Sequence, residues 1–156
     1  MMRASIPGFG ALRLKHLVLD YNGTLAVDGR LLPGVKVRLR TLSRRLNLHV
    51  LTADTFGGAR AALSGVPCRL SILPPLRQDR AKRDYVLRLG AAEAVCIGNG
   101  RNDRMMLAAA ALGIVVLQKE GAAVVALAAA DVVIPGITDA LDLLENPLRL
   151  VAALRS

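Results

Sequence analysis

The sequence predicts an α/β protein, a doubly wound, mostly parallel sheet of five to six strands with helices on both faces. Three observations predict it. Short β-branched runs alternate with longer Leu- and Ala-rich amphipathic runs along the chain, the pattern of parallel strands joined by crossover helices. The strand candidates are continuous Val, Ile and Leu runs, as strands covered on both faces are. The length, 156 residues, suits one domain, and 53% hydrophobic residues can supply its core.

The elements follow in order. Residues 1–16 read as an N-terminal arm. "HLVLDY" (16–21) is the first strand. In "GVKVRLRTLSRRL" (34–46), Val35, Leu39, Leu42 and Leu46 fall at helical spacing, with arginines on the other face. "NLHVLT" (47–52) is a second strand, and "FGGARAALSG" (56–65) a short helix ended by Gly65. "CRLSIL" (68–73) is a weaker strand, and "QDRAKRDYVLRLG" (78–90) a helix closed by Gly90. "EAVCIGNG" (93–100), "GIVVLQ" (113–118) and "DVVI" (131–134) are further strands, with helices at 103–111 and 121–130 between them. The tail from Ile137 to Arg155 is helical, interrupted at Pro147, so 147–156 is a C-terminal helix. About 25 residues separate the first strand end from the second, enough for one helix and no inserted domain. The whole is a Rossmann-like domain over 1–156 with no cap domain.

Composition narrows the function classes. The net charge of +9 attracts anions, including phosphorylated metabolites. The arginines are scattered at helix-like spacing and are not interleaved with aromatics, so nucleic-acid binding is not expected. No apolar stretch reaches the length of a membrane span. Cys68 and Cys96 each sit in an apolar segment without a metal-ligand neighbour. They read as reduced core residues of a cytoplasmic protein.

Ligands in such sheets bind beyond the C-terminal strand ends, and four polar clusters meet that criterion. "DYNGT" ends strand one at Asp20, with Gly23 permitting a tight turn and Thr24 holding it or a ligand oxygen. "LTADT" ends strand two at Thr52. Lys82 lies early in the helix before strand four. "IGNGRND" ends strand four and carries Asn99, Asn102 and Asp103.

Together these four motifs, spanning residues 17–113, resemble the haloacid dehalogenase-like (HAD) superfamily of phosphotransferases. The resemblance implies a hydrolase acting on phosphate esters or acyl phosphates of small molecules. Asp20 would be the nucleophile that forms an aspartyl-phosphate. Thr52 would hydrogen-bond the phosphoryl oxygens, and Lys82 would neutralise charge on them and on Asp20. Asp103 and Asp20, the backbone carbonyl of Asn22 and the side chain of Asn99 would surround Mg²⁺, a hard cation suited to oxygen ligands. Gly23, Thr24, Ala53, Asp54 and Asn102 would face the substrate. Each also has a plainer role: Asp20 and Asn22 as turn residues, Thr52 and Asp103 as caps, Lys82 as a solvated helix residue.

Two positions depart from the family pattern. Family phosphatases usually carry Asp where this chain has Asn22, and often where it has Asn99. Asn neither gives nor takes a proton at neutral pH, so dephosphorylation should be slow, and Mg²⁺ should bind less tightly. "LTAD" and "GNGRND" are similar to motifs of the P-type ATPase phosphorylation domain, where the aspartyl-phosphate is long-lived. The chain most resembles small soluble P-type-ATPase-like proteins. An open site implies either large substrates or a homo-oligomer whose neighbouring subunit covers it, through the arm or the tail. The rival expectation is a weakly catalytic or non-catalytic phosphate-binding module that signals to a protein partner. Asp54, Asp28 or a bound water could replace the missing base. Specificity would lie in loops 26–34, 53–58 and 73–78.

Overall fold

The computed structural model describes residues 1–54 and 57–156. In chain order the strands are β1 (Met2–Ile6), β2 (Gly10–Leu14), β3 (His16–Asp20), β4 (Ala26–Val27), β5 (Arg30–Leu31), β6 (Asn47–Thr52), β7 (Cys68–Ile72), β8 (Ala94–Gly98), β9 (Leu112–Val116) and β10 (Val132–Ile134). The helices are α1 (Val35–Leu42), α2 (Ala59–Ala62), α3 (Gln78–Leu89), α4 (Arg104–Ala109), α5 (Val124–Ala129), α6 (Ile137–Glu145) and α7 (Pro147–Leu154). A 3₁₀ turn spans Arg101–Asp103.

Six strands form one parallel sheet in the order β10-β9-β8-β3-β6-β7. The predicted sheet is therefore present, at the upper end of its strand count. β8 and β9 are buried at every position, whereas the edge strands β7 and β10 are partly exposed. Two cores explain this. On one face Leu17, Leu19, Val50, Ile97 and Ile114 pack against α1, α6 and α7. On the other, Val18, Leu51, Cys96 and Val115 pack against α3, α4 and α5. Both cysteines are free, and burial pushes the Cys96 thiol well above its usual range.

Topology places the ligand crevice. The chain runs from β3 outward through β6 to β7, then returns to β8 on the other side of β3. The order thus reverses between β3 and β8, the switch point where open α/β sheets bind ligands. Asp20 ends one of these strands, and the Asn99–Asp103 segment follows the other.

Two features went unread in the sequence. Within residues 1–16, expected as an arm, Met2–Leu14 form an antiparallel β1–β2 hairpin and His16 already opens β3. Met2, Ile6, Leu12 and Leu14 alternate along it and enter the first core. α7 packs on β1, and the Ser156 N–H bonds the Pro7 carbonyl at 3.1 Å. Arm and tail are thereby committed to each other within one chain. The second feature is the β4–β5 hairpin within loop 26–34. Its turn is Asp28-Gly29, both at positive φ (51° and 75°), a pairing that hairpin turns favour.

Candidate active site

Asp20 is placed by a strand and held by a turn. The carbonyl of Tyr21 accepts from the N–H groups of Thr24, Leu25 and Ala26, folding the chain back directly after β3. Gly23 allows that turn. Its φ is +82°, and a Cβ there would lie 2.5 Å from the Asn99 amide nitrogen and 2.8 Å from a Glu120 carboxylate oxygen. The fold returns the Thr24 hydroxyl to Asp20, where it donates to Oδ2 at 3.0 Å. Asn99 Oδ1 is a second acceptor for the same proton at 3.2 Å. One hydroxyl proton thus has two acceptors within reach, the carboxylate of Asp20 and the amide of Asn99.

Lys82 is one turn into α3 and points under the end of the sheet. Its Nζ donates to Asp20 Oδ1 at 2.6 Å and to Asp103 Oδ1 at 2.7 Å. Asp20, Lys82 and Asp103 are 6%, 1% and 0% exposed, so this is a buried charge cluster, not a solvated lysine. Asp103 Oδ2 accepts from the backbone N–H groups of Asn99 and Gly100, at 2.9 and 2.8 Å. The carboxylate therefore reaches back to the β8 loop, and it makes no side-chain cap on α4. Gly98 makes room for it, since a Cβ there would lie 2.6 Å from Asp103 Cγ.

The electrostatics follow from burial. Removal from water, then the nearby Asp103 charge, pushes the Asp20 carboxyl up to about 6, against the pull of Lys82 and Thr24. Burial would lower the Lys82 ammonium, but the two carboxylates outweigh it and hold the lysine above its ordinary range. Lys82 is a fixed cation, and Asp20 a carboxylate that ionises at the expense of its surroundings.

The other predicted residues divide. Thr52 lies one residue past Leu51, the partner of Asp20 in the sheet, and is 1% exposed. Its Oγ1 accepts the Asp54 N–H at 3.0 Å, so it does cap the following segment, and its own proton has no acceptor among the described residues. Ala53 and Asp54 follow it; Asp54 adopts φ 51°, and its carboxylate faces the Ala59 N–H at 3.5 Å, at the start of α2. Asn22 pairs with Ala26 in an isolated bridge, and its Oδ1 is buried without a partner. Asn99 donates to the Gly121 carbonyl at 2.9 Å. Asn102 is drawn aside to Gln78 Oε1 at 2.9 Å. Thr55 and Phe56, in the loop 53–58 named for specificity, lie outside the described residues.

A clamp escaped the sequence reading. Gln118 follows β9 and donates to the carbonyls of Gly23 and Thr24 at 3.0 and 2.8 Å, while its Oε1 accepts the Ile137 N–H at 2.9 Å. Glu120 Oε1 accepts the Asp28 N–H at 3.2 Å. The 118–121 turn thus holds the loop that carries Asn22 and Gly23. Its signal is position: β9 ends at Val116, two residues short of the expected strand 113–118, so Gln118 and Glu120 both lie beyond a C-terminal strand end.

The site's fit to a metal rests on its oxygens. Among the described residues no three His, Cys, Asp or Glu side chains are grouped to hold an ion. Two carboxylates do converge, and magnesium is often held by one or two with several waters. The orphaned Asn22 Oδ1 lies two residues from Asp20 and is a further hard oxygen. The donor chemistry therefore fits a hard divalent cation. No helix of the described residues is long and apolar enough to cross a membrane.

The six-stranded parallel sheet has the fold of solved HAD-family hydrolases. The deoxy-D-mannose-octulosonate 8-phosphate phosphatase of Haemophilus influenzae, in a cobalt-bound form, superposes with TM-score 0.70 at 18% identity, over 89% of each chain. The corresponding phosphatase of Moraxella catarrhalis, in complex with magnesium ion, phosphate ion and KDO, gives TM-score 0.65 at 17% identity, over 91% of this chain and 94% of that one. The catalytic domain of the CPx-ATPase CopB-B gives 0.57 at 21% identity, over 74% of this chain and 46% of that one. No protein-family model matches the chain. In sequence it is 38% identical over 87 residues to MJ0073 of Methanocaldococcus jannaschii, an uncharacterized protein, covering 56% of this chain and 84% of that one. The chain belongs to the family of that archaeal protein and has the HAD fold.

Proposed function

We propose that the chain is a Mg²⁺-dependent HAD-type phosphatase or phosphotransferase acting on a small phosphorylated substrate through an aspartyl-phosphate on Asp20. The observation that carries this reading is the buried bridge from Lys82 to Asp20 and Asp103. A cluster so costly to desolvate is hard to explain as a structural ornament. It holds a carboxylate at the strand end with one oxygen fixed by a cation and the other by a hydroxyl that has an alternative acceptor.

In the forward step an oxygen of Asp20 attacks phosphorus and the bond to the leaving oxygen breaks. Lys82 and the Thr52 hydroxyl meet the phosphoryl oxygens as charge develops, the kind of fixed stabilisation that dominates phosphoryl transfer. Held by Asp20, Asp103, the Asn22 carbonyl and Asn99, magnesium would add positive charge at those oxygens. Water then attacks phosphorus, breaks the bond to Asp20 and releases inorganic phosphate.

Asn22 supplies no proton to the leaving group and takes none from water. The second step is therefore slow, and the phospho-enzyme accumulates. Of the candidate replacements, Asp54 is turned to the start of α2 and Asp28 sits in the β4–β5 turn; Glu120, not among those candidates, lies against the Gly23 loop. We read the site as uncapped, since residues 21–46 hold only the β4–β5 hairpin and α1. A neighbouring copy would then shield it. Free cysteines suit a cytoplasmic setting.

One observation favours a second reading. Asn22 and Asn99 both stand where charge would speed turnover, so a phosphate-binding module acting through a protein partner would use the same pocket. Rapid mixing with p-nitrophenyl phosphate and Mg²⁺, beside Asp20→Asn, separates the two. Catalysis predicts an Asp20-dependent burst of about one nitrophenolate per subunit followed by slow release. No Asp20-dependent release selects the module.

A further inference from the structure

Beside the Asp20 cluster lies a basic cleft that the catalytic reading leaves unused. It has a volume of about 410 Å³, between the start of α3 and the Arg101–Asp103 turn. Both walls stand at the C-terminal edge of the sheet, the edge that presents Asp20. The walls also carry the cluster. Lys82 lies four residues after Gln78, on the same side of α3, and Asp103 follows Asn102 directly.

The cleft is lined by Arg77, Arg101 and Arg104, with Gln78, Asp79 and Asn102. Its one carboxylate is already occupied. Asp79 Oδ2 accepts from Arg104 Nη2 at 2.6 Å, and Oδ1 accepts the Arg80 N–H at 2.8 Å. Arg77 and Arg101 pair with no acidic side chain among the described residues. The walls are tied together by Asn102 donating to Gln78 Oε1, and Gln78 donates in turn to the Pro75 carbonyl at 3.2 Å. The N-cap residue Arg77 makes no side-chain cap, and of the first-turn N–H groups of α3 the Asp79 carboxylate takes that of Arg80, which leaves those of Gln78 and Asp79 at this end of the helix. Two guanidinium groups without acidic partners, one from each of the two tied walls, have the chemistry to take a carboxylate or phosphate.

We infer that this cleft is a second anion subsite, and that the substrate is a phosphate ester bearing a second anionic group. The inference rests on the reaction proposed above for its first subsite. The phosphoryl group at Asp20 and the second anion between Arg77 and Arg101 would lie along one edge of the sheet, joined by a carbon skeleton of sugar-phosphate size. The net charge of +9 adds a general attraction for anions, but only the cleft would distinguish one anionic group from two.

Calorimetric titration tests this without turnover. The probes are two matched pairs: fructose 1,6-bisphosphate against fructose 6-phosphate, and 3-phosphoglycerate against glycerol 3-phosphate. The protein should bind the doubly anionic member of one pair about tenfold or more tightly, and the pair that shows the preference identifies the second anion. Arg77→Met with Arg101→Met should abolish the preference, while Arg77→Lys with Arg101→Lys should retain part of it. Arg13→Met with Arg44→Met removes the same charge elsewhere and should leave the preference intact. No preference in the unaltered protein, or equal loss in both Met double variants, overturns the inference. A preference that persists in a protein with no Asp20-dependent turnover overturns the catalytic reading alone.

Discussion

Lys82 donates a 2.6 Å hydrogen bond to Asp20 across 62 residues of sequence, with both side chains buried. The same ammonium holds Asp103 at 2.7 Å. Replacing it by Lys82→Met leaves two carboxylates facing each other without a cation. Breaking a buried pair in this way typically costs about 3–5 kcal/mol. The cost should depend on pH. The Asp20 carboxyl is already pushed up to about 6, and without Lys82 it rises further. A folded-state value above the unfolded one favours the fold on the acid side and loses that contribution as pH rises. The deficit of Lys82→Met against the unaltered protein, read from urea unfolding, should therefore be larger at pH 8 than at pH 5. Equal deficits at both pH values would mean that the cluster carries no charge worth protecting.

The Asn22→Asp substitution tests the slow second step. It restores a group able to carry a proton, and general acid–base catalysis typically contributes about 10²–10⁴-fold. The lifetime of the acid-stable phospho-enzyme, followed by quench after mixing with p-nitrophenyl phosphate, should shorten by at least the lower figure. The burst itself should change little, because nitrophenolate leaves without acid assistance. An unchanged lifetime would show that another group already serves as the base, and Glu120→Gln in the Asn22 protein would then be the variant that lengthens it.

The strands and the strand-end residues were legible because their signals are local and one-dimensional. Val, Ile and Leu runs marked five of the six parallel strands, the edge strand β7 being the weaker "CRLSI", and Asp20, Thr52 and the Asn99–Asp103 segment fell at C-terminal strand ends. Lys82 was legible only by its place in a set of motifs, since a lysine on a helix is ordinarily solvated. What sequence could not give was contact across long separations. Nothing in "LQKEG" says that Gln118 will reach Gly23 and Thr24, some 95 and 94 residues away. Asn102 shared a motif with Asp103, yet its side chain turns to Gln78. The N-terminal hairpin was missed for another reason: Met2, Ile6, Leu12 and Leu14 alternate, but with charged and small residues between them the period is easily lost in so short a segment.

Gln118 should behave as a positioning residue. Gln118→Leu removes bonds to two carbonyls of the Asp20 loop and to the first N–H of α6. Leaving such groups partly buried and unpaired costs about 1–3 kcal/mol. Amide exchange over residues 21–26 should accelerate in the variant while the β8 and β9 amides stay protected. The Asp20-dependent burst should slow with little change in the concentration of p-nitrophenyl phosphate that half-saturates it. Uniformly faster exchange across the whole sheet would mark a general loss of stability and remove the local role.

A second polar chain runs under the sheet, away from Asp20, and it predicts acid sensitivity. His16 Nδ1 lies 3.1 Å from His49 Nε2, and His49 Nδ1 lies 2.9 Å from the Tyr85 hydroxyl. His49 is 6% exposed. Burial, then the neighbouring His16 and Arg69, lowers its imidazole to about 4. A folded-state value below the unfolded one contributes stability that is present above the unfolded value of about 6.5 and is lost as pH falls towards 4. Asp20 acts in the opposite sense over the lower part of this range, because its raised value favours the fold on the acid side. The informative quantity is therefore the difference between the unaltered protein and His49→Gln, a neutral side chain able to hydrogen-bond Tyr85. Unfolding midpoints measured from pH 7.5 down to 4.5 should show the unaltered protein losing stability faster than the variant. Parallel decline of the two would assign the acid sensitivity to the carboxylates and leave the histidine chain a purely packing role.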